Sequence, residues 1–356
     1  MTSAIRDSVA PGAALAVGRH GRVVHMRGYG SLEYDEMSAP VTDSTIWDLA
    51  SLTKVVGTTT ALMVLEEEGL LDIERPVRDY LPELDAPDKA GITVRMLLEH
   101  NGGLEAFAQL WRTHSGRSQY LEQINARPAE RAPGDTMVYS DWDFVLLGLI
   151  VERITGLTLN AFLRERVWQP LRMRDTDFHP GSDIARVAPT EMDPERGGIV
   201  RGFVHDENAY ALGGVAGHAG LFSSARDLAV FARFMMDGGI PLLEPSNVAR
   251  WTARQGTMSS RALGWDTPSP SSSAGRFSSP RAFGHTGFTG TSIWMDPEKG
   301  LFVVLLTNRV NPTRVNQKHI ALRRDVIDAV HQAVVDAPVI DWEARMAPDT
   351  TGSTGN

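Results

Sequence analysis

The chain has 356 residues, 42% hydrophobic and 22% charged, ordinary for a globular protein that buries its core in one large domain or two lobes. A formal net charge of −9 and the lack of any basic run leave nucleic-acid binding without electrostatic support. The absence of cysteine excludes disulfides, thiolate nucleophiles and cysteine–zinc sites.

The first residues, Met1-Thr2-Ser3-Ala4-Ile5-Arg6-Asp7, show no apolar signal segment. A cytoplasmic location is therefore expected, or a periplasmic or secreted one if a leader has been removed. Residues 11–17 and 23–30 flank Gly18-Arg19-His20-Gly21 and predict a hairpin. The polar stretch 31–45 predicts a loop leading to Ser51-Leu52-Thr53-Lys54. Residues 54–69 predict a helix, with Val56, Leu62, Met63 and Leu65 on a helical stripe and Gly69 as the stop. Short helices are expected within 70–84, at 92–99 before His100-Asn101-Gly102-Gly103, and at 118–126. Residues 142–155, rich in Leu, Ile and Val, predict a buried helix, followed by another at 159–167.

Charge, Pro and Gly make 179–202 irregular, and 212–220 is a glycine-dense loop. Helices are expected at 225–237 and 245–254. The Ser/Pro-rich stretch 267–279 predicts a mobile surface loop. Strands follow at 281–286, 291–295 and 301–307, then an amphipathic helix at 314–335 and a polar, disordered tail from 347. No stretch approaches the length of a membrane span. The order predicts an α+β fold. Its first and last parts (1–48 and 221–340) pair into one antiparallel sheet, a helical lobe (49–220) faces it across a cleft, and 341–356 is a tail.

Ser51 and Lys54 are i and i+3, so they share a helix face. A serine at a helix start sits beside unpaired backbone N–H groups and the positive dipole end. A lysine within reach could take its proton if burial or another cation lowers the lysine pKa. Tyr139-Ser140-Asp141 precedes the helix at 142, and a tyrosine beside a lysine could serve as base or proton carrier. Gly284-His285-Thr286-Gly287-Phe288 lies on a strand whose glycines permit close backbone approach, with Thr286 offering a hydroxyl. The N–H of Phe288 could complete an oxyanion hole with that of Ser51. Taken singly, Ser51 also reads as a helix cap, Tyr139 as a half-buried structural residue and His285 as a satisfied histidine. His205-Asp206-Glu207-Asn208 and His218 admit a zinc or manganese reading, but their spacing matches no compact ligand motif. His218 in its glycine loop is expected to face substrate.

Ser51-x-x-Lys54, Tyr139-Ser140-Asp141 and His285-Thr286-Gly287 match, in order and rough spacing, the three signatures of the penicillin-recognising serine hydrolases. The chain resembles the branch holding class C β-lactamases, D-alanyl-D-alanine carboxypeptidases and family VIII esterases, over about residues 10 to 335. Phrases outside the motifs agree, among them Leu97-Leu98-Glu99-His100-Asn101-Gly102-Gly103-Leu104, Ala219-Gly220-Leu221-Phe222-Ser223-Ser224 and Leu263-Gly264-Trp265. Residues 204–223 further resemble the penicillin-binding protein 4*-type subgroup. The resemblance implies the β-lactamase/transpeptidase-like fold, with Ser51 as acylated nucleophile, Lys54 as its hydrogen-bond partner and Tyr139 as general base. It also implies Ser51 and Phe288 N–H groups at the oxyanion, and Asp141, His285, Thr286 and Gly287 along the substrate cleft.

Two positions depart from the pattern. Asp141 stands where Asn is commoner, and a carboxylate there would raise the lysine pKa and shift weight to Tyr139. His285 replaces the commoner Lys and, if neutral, pulls less on a substrate carboxylate. Both point away from an efficient β-lactamase. The expectation is a serine hydrolase of small carboxylic esters or D-amino-acid peptide or amide bonds, with no metal or organic cofactor. The alternatives are a weak β-lactamase, a non-catalytic penicillin-binding or ligand-sensing relative, and a metal hydrolase built on His205 and His218. Oligomeric state stays open.

Overall fold

The computed structural model describes residues 1–257 and 259–346, so the tail expected from 347 lies outside the described residues. Strands β1 (Gly12–Arg19), β2 (Arg22–Gly30), β3 (Phe283–Thr286), β4 (Ser292–Asp296) and β5 (Leu301–Thr307) form one antiparallel sheet in the order β2-β1-β5-β4-β3. β1 and β2 are joined by His20 and Gly21, both at positive φ (47° and 73°), the two-residue turn whose twist suits a hairpin.

β1 has alternate residues in two cores, as the period of a strand requires. Ala14 and Ala16 face the main core, against which the helix Ala225–Met236 packs. Leu15 and Val17 face a second cluster with Val326 and Ile327 of the helix His319–Gln332. The small alanines let the first helix come close to the sheet. The sheet is thus covered on both faces.

The helical part holds Thr60–Glu67, Val94–Leu98, Gly116–Ala126, Asp141–Thr155 and Leu159–Leu163. The helix Asp141–Thr155 starts at Ser140, whose hydroxyl accepts from Trp142 N–H (3.2 Å), and ends at Gly156 at φ +69°. Its Gly148 meets the glycine loop directly: a Cβ there would lie 2.9 Å from Gly217 Cα. No single helix among the described residues is long and apolar enough to cross a membrane.

Two expectations need correction, and one strand goes beyond them. Residues 267–279 are irregular but packed rather than a free surface loop. Ala274 is fully buried in the second cluster, and Ser279 bonds Asp296 through its N–H (2.8 Å) and hydroxyl (2.7 Å). The last long helix starts only at His319, because Arg314 is drawn to Glu191 and Glu207 and Asn316 bonds the carbonyls of Ser8 and Val9. Ile46–Asp48, between the predicted loop at 31–45 and Ser51, carried no expectation and is a strand paired with Phe222–Ser224.

Candidate active site

The chain enters the site from the strand Ile46–Asp48. Asp48 is buried; its Oδ1 accepts from Ala50 N–H (2.8 Å) and its Oδ2 from His205 N–H (2.6 Å). The first bond closes a tight turn that holds Ala50 at φ +47°, a conformation that costs a non-glycine residue free energy and persists here because its surroundings dictate it. Ser51 follows at the start of a helical run, wound as a π-turn over Lys54–Thr59 before becoming the α-helix Thr60–Glu67. Such π segments recur at functional sites.

The turn is fixed from two sides. From the sheet, Thr289 Oγ1 donates to Asp48 O (2.7 Å) and Thr291 Oγ1 to Leu49 O (3.0 Å). From the glycine loop, Leu221 N–H donates to Thr53 Oγ1 (3.0 Å), and Leu221 O accepts from Leu49 N–H (2.9 Å). Gly287 explains its own identity: a Cβ would stand 2.2 Å from Thr291 Oγ1 and 2.3 Å from Leu49 O. Only glycine lets the end of β3 lie this close to the segment preceding Ser51.

Lys54 is fully buried, and its Nζ donates to Ser51 Oγ (3.1 Å), Asp141 Oδ1 (2.7 Å) and His218 O (3.1 Å). The Tyr139 ring centroid is 4.9 Å from the same nitrogen. Burial by itself favours the neutral amine, but the charges of Asp141 and Tyr139 outweigh it and carry the Lys54 pKa above the ordinary lysine value. An ammonium has three N–H donors, and each has its acceptor here.

A cavity of about 400 Å³ opens at Ser51. Tyr139, His285, Thr286, Gly287 and Phe288 line it together with Arg261 and Asp266. Burial and the charges of Arg261 and Lys54 hold the His285 imidazole well below its ordinary pKa, so it is neutral at neutral pH. The motif segments at 51, 139 and 285 therefore meet at one cavity, and Asp141 sits behind Lys54.

His218 does not face the cavity as expected. Its side chain is buried with Nε2 2.9 Å from Asp206 Oδ1, and only its carbonyl reaches Lys54. Gly217 beside it serves close packing on the helix Asp141–Thr155, where a Cβ would stand 2.0 Å from Phe144 O. His205 is committed elsewhere, with Nε2 2.9 Å from Glu191 Oε2. The two histidines thus pair with different carboxylates, and no three His, Asp or Glu side chains converge on a metal-sized site among the described residues.

Arg261 lies outside the three sequence motifs. Asp266 pairs with Gly284 as a bridge on the edge of β3 (2.9 Å in both directions), which swings the preceding turn over His285. The guanidinium lies 5.1 Å from the Tyr139 ring centroid and 3.5 Å from His285 Nε2, and forms no ion pair among the described residues. A cation missing from position 285 is thus supplied by a neighbouring loop. The only hint was its place just ahead of Leu263-Gly264-Trp265.

The profile of the family described as "Beta-lactamase" matches residues 1–327. A protein of Escherichia coli K12, provisionally named a D-alanyl-D-alanine carboxypeptidase, is 34% identical over 342 residues, covering 84% of this chain and 78% of that protein. A similarly named protein of Salmonella agona is 33% identical over 353 residues, covering 88% and 82%. Among solved structures, the hydrolase EstCE1 superposes with a TM-score of 0.73 at 22% identity, covering 91% of this chain and 95% of its own. A class C β-lactamase of Rhodobacter sphaeroides superposes at 0.71 and 21%, covering 91% and 96%. These two likenesses show a shared β-lactamase/transpeptidase fold. With its fold, its motif order and its matching relatives in agreement, the chain belongs to the β-lactamase family of serine hydrolases.

Proposed function

We propose that the protein hydrolyses small acyl compounds bearing a carboxylate, D-amino-acid peptides foremost and esters of similar shape, through an acyl-enzyme on Ser51. The observation that carries the reading is the saturation of Lys54. With all three protons donated, the lysine gives a hydrogen bond to Ser51 Oγ and has no lone pair to receive the serine proton. Tyr139 is then the base. Its phenol oxygen, beside Lys54, takes the Ser51 proton as Oγ bonds the acyl carbon. The oxyanion rests on the N–H groups of Ser51 and Phe288. Tyr139 returns the proton to the leaving group as the acyl bond breaks. Water then repeats the sequence against the ester, and Ser51 is freed.

The substrate class is supported by Arg261, a cation on the wall of the Ser51 cavity that forms no ion pair among the described residues. The names of the matching relatives point the same way. The test compares a peptide ending in D-Ala-D-Ala with an uncharged p-nitrophenyl ester in the wild type and Arg261→Gln. A charge-assisted hydrogen bond is worth about 1.5–3 kcal/mol, so kcat/KM should fall about 10- to 100-fold further for the peptide than for the ester, whose own loss reads the effect of the guanidinium on Tyr139. Equal losses on both substrates would remove the carboxylate role. Nitrocefin turned over faster than either would favour the β-lactamase alternative.

A further inference from the structure

Beneath Tyr139 lies a buried pair that the reaction above leaves unused. His100 follows the helix Val94–Leu98 with its backbone at φ +58°. Its carbonyl accepts from Val138 N–H (2.8 Å), and its Nδ1 accepts from Ser140 N–H (3.3 Å). The residues on either side of Tyr139 are thus both tied to His100. The imidazole also lies against the Tyr139 ring, with centroids 4.4 Å apart, and against Phe144 at 5.2 Å. Asp143, in the first turn of the helix Asp141–Thr155, places Oδ2 2.9 Å from the same Nδ1. The two side chains are 0% and 1% exposed.

An imidazole nitrogen that accepts from a backbone N–H is not the protonated one. The contact to Asp143 then needs its hydrogen on the carboxyl oxygen, so that one Nδ1 lone pair is shared by two donors and the hydrogen on buried Nε2 has no partner. Burial agrees, because an ionised carboxylate would leave Oδ1, which has no partner, as an uncompensated buried charge. Burial first, and then the charge of Asp141, push the Asp143 carboxyl well above its usual range, against the opposing pull of Lys54. Burial and the charges of Arg261 and Lys54 hold His100 neutral.

We propose that Asp143 is a neutral carboxylic acid donating to His100 Nδ1, and that this uncharged pair is the positioning device for Tyr139. It clamps the backbone at 138 and 140 and backs the ring, while adding no charge next to the phenol. The charges acting on the base then come from Lys54, Asp141 and Arg261. The proposal rests on Tyr139 as the base.

Infrared difference spectroscopy of the wild-type protein against Asp143→Asn at neutral pH reads the first part. The expected result is a protonated-carboxyl C=O band that the variant lacks; carboxylate bands in its place overturn the proposal. Kinetics read the second part. Asn keeps an N–H donor toward Nδ1, so Asp143→Asn should stay near wild-type kcat with the same pH profile. His100→Phe keeps a ring but loses the Nδ1 contacts, and a misplaced base of this kind costs about 100-fold in kcat while leaving KM nearly unchanged. Loss in Asp143→Asn as deep as in His100→Phe, or a His100→Phe effect confined to KM, refutes the positioning role. If His100→Phe does not fold, the spectrum and the Asp143→Asn kinetics still decide. Undiminished turnover in Tyr139→Phe would instead remove the base assignment and leave the infrared result standing.

Discussion

Asp141→Asn separates two accounts of the lysine. The Asp141 carboxylate lies 2.7 Å from Lys54 Nζ, with the lysine wholly buried and the aspartate 19% exposed. At an effective dielectric of about 20, a unit charge pair at that distance is worth about 6 kcal/mol, or roughly four pKa units of support for the ammonium. Water reaching the partly exposed position reduces this, so the lysine pKa should fall by roughly two to four units in the variant. Asn retains an acceptor for the N–H, so the geometry is preserved. The assay is kcat/KM against pH with a p-nitrophenyl ester. If the ammonium is the working form, its loss on the alkaline side ends activity, and the alkaline limb of Asp141→Asn moves to lower pH. If a neutral lysine amine were the base, the same fall would populate the active form and raise activity near neutral pH. A gain at neutral pH, or superimposable profiles, would refute the reasoning.

Lys54→Ala and Tyr139→Phe should each lower kcat by about 10²- to 10⁴-fold, as for loss of a positioned base and its support. The double variant should be far less impaired than the product of the single losses, because the two act as a unit; multiplicative losses in steady-state kinetics would contradict this. Gly287→Ala forces a methyl group against Thr291 Oγ1 and Leu49 O. Overpacking of this kind costs roughly 1–3 kcal/mol, and here it also pushes β3 off the nucleophile turn. The urea midpoint and kcat should therefore fall together, and a variant unchanged in both would dismiss the close-approach account.

The parts of the fold legible in the sequence were those with long, strongly patterned segments. The run 301–306 is apolar throughout because β5 is covered on both faces, and the helix Asp141–Thr155 carries both its apolar content and its caps. The strand Ile46–Asp48 is too short to show a period. Composition misled at 267–279: serines and prolines suggest solvent, yet small residues also fit closely under a helix, where their hydroxyls bond Asp296 and His331. At the site, the spacing of the motifs at 51, 139 and 285 was enough to propose one cavity. It could not show the direction of the His218 side chain, since a glycine loop can bring either backbone or side chain to a neighbour. Nor could it show Arg261, which a bridge to β3 delivers from outside any motif, or the left-handed turn at Ala50, which the Asp48 carboxylate closes by accepting from Ala50 N–H.

The most direct measurement is intact-protein mass spectrometry with peptide mapping after treatment with a fluorophosphonate, run beside ester turnover on wild type and Ser51→Ala. The account predicts one adduct per chain on the peptide containing Ser51, loss of turnover in step with labelling, and neither adduct nor turnover in a folded Ser51→Ala protein. Turnover that survives in Ser51→Ala, or an adduct mapping to another residue as activity disappears, would contradict it.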